Sequence, residues 1–333
     1  MGFSVEKAGL LTTVQDLGRY GYQKQGMVVS GAMDAFALRV ANLLVGNAQN
    51  AAALEITLVG PRLLFQQDTL LAVTGADLSP RLDAKPLPMN QPVFVRAGTR
   101  LEFGRAVQGC RAYLALGGGV DVPPVMGSAA TYLRAAVGGW HGRALQKDDQ
   151  VPLKGLKPEQ LKAWQERLPA PEPFLAAPWG VFPASLPPYA GNPTVRVVPG
   201  PEYGLFSSEA QEAFWQSPFQ VAPASDRMGY RIAGPALTLK EPVEVLSSAV
   251  TFGTVQILAN GNPIILMADR QTTGGYPRLG QVISADLPLL AQAKPGATIR
   301  FQQVSLAQAQ ELYYQQERTL AQLASALHLH LKR

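Results

Sequence analysis

Residues 96–103 read RAGTRLEF, and residues 294–301 read KPGATIRF. Each is a glycine-containing turn that runs into a strand of alternating apolar and polar side chains. A second pair, GPRLLF at 60–65 and GPALTL at 234–239, precedes them in the same order. Two matched pairs along one chain predict an internal repeat, hence two related β-barrels. Short β-rich runs recur outside the pairs, among them LLAV at 70–73, PVFV at 92–95, YLAL at 113–116, VRVV at 195–198 and PIIL at 263–266. Separated by turn residues (32 glycines and 27 prolines), they fit barrels or sandwiches. Long βα alternation is absent, which argues against a doubly wound nucleotide fold.

Between Pro169 and Pro193, eight of 25 residues are proline, so this stretch is expected to be an extended linker. The predicted organisation is a first barrel over 1–168, the linker over 169–193, a second barrel over 194–304 and a C-terminal helix over 305–333. Two further helices are predicted. DAFALRVANLLV at 34–45 places Phe36, Val40 and Leu44 on one face and stops at Gly46. Residues 208–215 open with Ser208 and Gln211 in capping-box spacing, and Ser305 with Gln308 repeats that spacing in the tail.

Composition narrows the function. The 333 residues are 47% hydrophobic and 16% charged, with net charge +5 and no Lys/Arg run dense enough to track phosphates. The N-terminal MGFSVEKAGLL lacks a signal-peptide core, no run has the length of a membrane span, and the single Cys110 suits a reducing compartment. The expected location is the cytoplasm. No G-x-x-x-x-G-K-[ST] loop occurs, and the triple glycine at 117–119 reads as a turn. Three histidines, His328 and His330 in the tail and a lone His141, leave no zinc cluster, so no bound metal is expected. There is no Met-Lys dipeptide, so no covalent biotin is expected either.

Carboxylate, amide, guanidinium and backbone chemistry remain, in four polar clusters. TTVQDLGRYG carries Gln15, Asp16 and Arg19; SGAMDAFALRVANLLVGN carries Ser30, Asp34, Asn42 and Asn47. Asp34 is placed to cap the following helix, and Asn42 needs a partner if buried. SDRMGYR supplies Asp226 and Arg227, which suit an ion pair or a carboxylate clamp. MADRQTTGGYP at 267–277 follows an apolar strand and packs Asp269, Arg270, Thr273, Gly274, Gly275 and Tyr276 into one loop. Glycines there let a backbone approach a ligand, and a polar hairpin turn is the simpler alternative.

The order TTVQDLGRYGYQKQGMVVSGAMD, ANLLVGN, LEITLVGP, VTGAD, GGGVDVPPVMGSAATY, PGPEY, SDRMGYR, MADRQTTGGYP resembles one family from about Gly9 to Phe301. That family contains the C-subunit of 5-oxoprolinase, the Kip-inhibitor antagonists and the carboxyltransferase domain of urea carboxylase. The resemblance implies two cyclophilin-like β-barrels and a few short helices. It implies a place in a 5-oxoprolinase complex with two further components, a Kip-inhibitor-like B-subunit plus an A-subunit. Such a complex uses ATP to open the lactam of 5-oxo-L-proline. On this reading Asp226, Arg227, Asp269 and Arg270 are catalytic candidates. Asp34, Asn42, Thr273, Gly274, Gly275 and Tyr276 are substrate-binding candidates. The same family implies two alternatives: carboxyl transfer from carboxybiotin to urea or a related amide, and non-catalytic binding of a Kip-type histidine-kinase inhibitor.

Overall fold

A computed structural model describes residues 2–331. The chain divides into two compact units. The first contains 34–188 with 2–18 and the tail from Thr319, and the second contains 189–318 with the excursion 19–33. The break after Pro188 lies inside the proline-rich stretch, but the two flanking exchanges differ from the linear division expected of the sequence.

The first unit holds β1 (Gly2–Lys7), β2 (Leu11–Gln15), β3 (Ala53–Thr57), β4 (Arg62–Phe65), β5 (Thr69–Asp77) and β6 (Arg81–Leu82). It continues with β7 (Lys85–Pro86), β8 (Val93–Val95), β9 (Arg100–Glu102), β10 (Gln108–Leu116), β11 (Gln150–Pro152) and β12 (Phe174–Ala176). These form two six-stranded antiparallel sheets, β11-β1-β4-β9-β6-β7 and β12-β8-β5-β10-β3-β2. Side chains from both sheets enter one core, including Phe3, Leu63, Phe65, Leu71, Val73 and Leu114. In β4 the period of two is plain: Leu63 and Phe65 are buried while Arg62 and Leu64 are half-exposed. β5 is buried on both faces because α1 (Ala35–Leu44) packs over it and β10. The Thr74 hydroxyl ties the two by donating to the Ala37 carbonyl at 2.7 Å. α2 (Pro158–Arg167) completes the middle of this unit. The proline-rich stretch is not wholly linker, since β12 pairs with β8 at the sheet margin, where proline is tolerated.

The second unit holds β13 (Thr194–Pro199), β14 (Phe219–Val221), β15 (Gly229–Ala233), β16 (Ser248–Ala249), β17 (Thr254–Ile257), β18 (Pro263–Leu266), β19 (Thr273–Gly274), β20 (Arg278–Val282) and β21 (Thr298–Gln303). Seven of them close a barrel in the order β13-β20-β17-β18-β15-β14-β21, while β16 and β19 pair apart from it. Val195, Val197, Val255, Ile265 and Phe301 fill the barrel with rings from α3 (Ser208–Gln216), whose Phe214 stacks on Phe301 at 4.4 Å. α4 (Leu287–Ala291) precedes β21. α5 (Leu306–Leu331) is capped by the expected reciprocal bonds, Gln308 N–H to Ser305 Oγ and Ser305 N–H to Gln308 Oε1. No helix among the described residues is long and apolar enough to cross a membrane.

Two local expectations need correction. The cap of α3 is Ser207, whose hydroxyl accepts from Ala210 N–H, and not Ser208; Gln211 instead donates to the carbonyls of Tyr203 and Phe206. GPALTL is not a strand. Leu237 N–H donates to the Gly261 carbonyl, and Leu239 makes one isolated antiparallel bridge to Phe206, with Ser207 N–H donating to the Thr238 carbonyl and Lys240 N–H to the Leu205 carbonyl, so no continuous ladder forms. The RAGTRLEF and KPGATIRF pair does end on strands, β9 and β21.

Candidate functional site

The 267–277 loop does not close a hairpin, because β17 lies between β18 and β20 in the barrel. Its entrance extends the β15–β18 pairing: Met267 N–H donates to the Met228 carbonyl and Asp269 N–H to the Arg227 carbonyl, at 2.9 and 2.7 Å. That register sets Asp269 opposite Arg227. The Arg227 Nε lies 2.9 Å from Asp269 Oδ2 and Nη2 lies 3.0 Å from Oδ1, a two-pronged pair with both side chains buried.

The excursion 19–33 supplies further partners. Ser30 (φ +58°) and Gly31 (φ +88°) turn the chain through left-handed backbone. Ser30 Oγ donates to Asp269 Oδ1 at 2.7 Å, and Arg227 Nη2 donates to the Gly31 carbonyl at 2.6 Å. Asp269 therefore accepts from both prongs of Arg227 and from the Ser30 hydroxyl. Removing either charged member of this set leaves the other charge buried and uncompensated, at a cost of about 3–5 kcal/mol. Asp269 and Arg227, expected as catalytic groups, are occupied with each other and form a rigid base for the loop.

Arg270 is different. Its Nε is buried without a hydrogen-bond partner, and the acceptor of its Nη1 is the Met267 carbonyl at 3.5 Å. Burial holds its pKa below the usual arginine value, opposed by the nearby Tyr20 phenol and the Asp269 carboxylate. A half-buried guanidinium with so little compensation is suited to an anionic ligand group.

The loop's exit is also pinned. Gln256 Nε2 donates to the Tyr276 carbonyl at 3.2 Å, and Ile257 N–H donates to the Pro277 carbonyl at 3.0 Å. Glu202 grips Arg278 through its Nε, Nη2 and backbone N–H at 2.8, 2.6 and 3.0 Å. Thr273 and Gly274 pair with Ala249 and Ser248, forming a two-stranded flap. A Cβ on Gly274 would stand 2.7 Å from Gln256 Nε2, so any larger residue here displaces the Gln256 amide. Beside the flap opens a cavity of about 670 Å³ lined by Val245, Gly275, Tyr276, Ile257 and Leu237 among others. The Tyr276 side chain is half exposed (46%), in reach of a ligand.

Three other expected site residues have structural work. Asp226 Oδ1 accepts from the backbone N–H of Met228 and Gly229, shaping the turn before β15. Asp34 and Asn42 belong to the first unit and are completely buried. Asp34 caps α1 by accepting from Ala37 N–H at 2.8 Å. Asn42 donates to the Ala51 carbonyl and accepts from Asn47 Nδ2. In this structure the partners of both side chains named here lie within the fold. Ser30, Gly31 and Gln256 were not among the expected site residues. An amide inside the apolar strand TVQI was the one available signal for Gln256, because a buried amide demands partners.

The loop thus combines a buried carboxylate–guanidinium base with a sparsely partnered arginine, chemistry that suits a small polar or anionic group. The chain belongs to the carboxyltransferase domain family, subdomain A and B, which it matches over residues 25–303. It is 42% identical over 322 residues to the 5-oxoprolinase C-subunit of Escherichia coli strain K12, covering 97% of both chains. The corresponding 5-oxoprolinase component of Haemophilus influenzae is also 42% identical, over 93% of this chain and 94% of that one. Among solved structures, the urea amidolyase of K. lactis superposes with a TM-score of 0.87 at 33% identity. That match covers 97% of this chain but 20% of the amidolyase, which is a much longer protein.

Proposed function

We propose that this chain is the C-subunit of an ATP-dependent 5-oxoprolinase, opening the lactam of 5-oxo-L-proline to L-glutamate together with the A- and B-subunits. The observation that carries the reading is 42% identity to a protein of that name across 97% of both chains. An unstrained lactam is a poor electrophile. Transfer of the γ-phosphoryl group of ATP to the lactam oxygen turns that oxygen into a leaving group. Water then adds to the ring carbon, the C–N bond breaks and the nitrogen leaves protonated as the amine of glutamate. A second water releases phosphate.

Within this chain Arg270 meets the negative charge of the substrate carboxylate or of the phosphorylated oxygen. Arg227, Asp269 and Ser30 hold the loop that presents it, and the glycines at 274 and 275 let the backbone close on the ring. Tyr276 offers its hydroxyl to the carboxylate or the ring amide. No residue of this chain is assigned to ATP.

The match to a urea amidolyase favours one other reading, carboxyl transfer from a carboxybiotin carried elsewhere to urea or a related amide. Reconstitution decides between them. The chain, purified with its A- and B-subunits, is expected to form ADP and glutamate only when all are present with 5-oxoproline. The isolated chain is expected to be inactive. Turnover that proceeds without this chain would overturn the proposal and leave the inhibitor-binding role ahead. Urea carboxylation with a biotin carrier, without 5-oxoproline turnover, would establish the second reading.

A further inference from the structure

Gln256 stands on β17 with its side chain completely buried. Its neighbours Val255 and Ile257 face the barrel core, so by the strand's period of two Gln256 faces outward. There it is covered by the flap, with Gly274 over its amide. The amide's orientation is set: Nε2 donates to the Tyr276 carbonyl, and a flipped amide would set oxygen against oxygen. Its Oε1 has no donor. The Ser248 hydroxyl, across the ladder from Gly274, is likewise buried without a partner. Two orphaned polar atoms beside one glycine are costly unless something completes them.

We infer that Gln256 Oε1 is the acceptor for the amide N–H of a small ligand admitted beneath the flap, with the Ser248 hydroxyl as the neighbouring polar contact. The flap is suited to lift, since the ladder holding it has two residue pairs, Ser248 with Gly274 and Ala249 with Thr273. A cavity lies beside the flap. The 670 Å³ cavity is lined by Glu244 and Val245 leading into the flap and by Gly275 and Tyr276 leading out of it. A ligand here needs a planar amide with an N–H to give, which a lactam has and its N-methylated form lacks. This assignment rests on the proposed oxoprolinase reading and specifies which edge of the ring the chain recognises.

The test deletes the same hydrogen bond from both sides. Binding of 5-oxoproline and of N-methyl-5-oxoproline, and of urea and tetramethylurea, is measured by calorimetry on the reconstituted complex with wild-type chain, Gln256→Met and Gln256→Asn. Wild type is expected to prefer an N–H ligand over its methylated form by roughly tenfold, the worth of one hydrogen bond. Gln256→Met is expected to shrink that preference toward unity. Gln256→Asn, which retracts the acceptor but keeps an amide, provides the reading if Gln256→Met does not fold. A preference that survives in the folded variant, or wild type binding neither N–H ligand over its methylated form, overturns the inference and leaves Gln256 to a buried water. N–H-selective binding of urea without any turnover of 5-oxoproline would sink the oxoprolinase reading and leave this one standing.

Discussion

Arg227 and Asp269, 42 residues apart in sequence, meet through two charge-assisted hydrogen bonds beneath the loop that carries Arg270. The pair is buried on both sides, so its geometry is set by the fold and not by solvent. Asp269→Asn retains the shape but leaves the Arg227 charge uncompensated. Chemical denaturation is expected to show a loss of about 3–5 kcal/mol, and Ser30→Ala a smaller one of about 1 kcal/mol. An unchanged denaturation midpoint in Asp269→Asn would refute the anchoring role.

Arg270 is expected to act on the ligand and not on stability. Arg270→Ala removes a guanidinium that contributes few internal bonds, so the melting temperature should hold or rise slightly. Affinity of the complex for 5-oxoproline should fall by about 10- to 100-fold, the range of a lost charged hydrogen bond. Steady-state kinetics with purified complex separate this from misfolding, and an unaltered KM and kcat would exclude Arg270 from the site.

Asp34 gives the opposite signature. Asp34→Ala removes the α1 cap from a buried position, at a cost of about 1–2 kcal/mol. The folded fraction should keep its affinity for 5-oxoproline. A selective rise in KM with unchanged stability would return Asp34 to the ligand site.

The first unit carries an acid-sensitive pair. The hydrogen bonds from Arg143 hold the Asp149 carboxyl down at about 2, against an ordinary 3.8. Because the folded value lies below the unfolded one, the stabilisation is complete above about pH 4 and is lost as pH falls toward 2. Melting temperature followed from pH 5 to pH 2 should fall more steeply for wild type than for Asp149→Asn. Parallel curves would mean that the pair does not contribute.

Much of the fold was legible because it is written locally. Leu63 and Phe65 alternate with Arg62 and Leu64, Asp34 sits one residue ahead of α1, and Ser305 with Gln308 caps α5. The MADRQTTGGYP loop was legible for a similar reason: its polar residues crowd the end of an apolar strand. The partners of that loop were not. Ser30 reaches Asp269 across 239 positions, and no local pattern announces such a contact. Adjacent Asp226 and Arg227 looked equivalent in sequence, yet one shapes a turn and the other holds the ion pair. GPALTL shows the reverse failure, a strand-like pattern that makes one isolated bridge, Leu239 to Phe206, and no ladder.

The excursion 19–33 has a consequence for how this gene can be divided. A cut at the proline-rich stretch, the obvious seam, would leave the second barrel without Ser30 and Gly31 and the first without the tail from Thr319. Neither half would carry its own complete set of contacts. Dividing the chain at that seam therefore takes a segment from each unit.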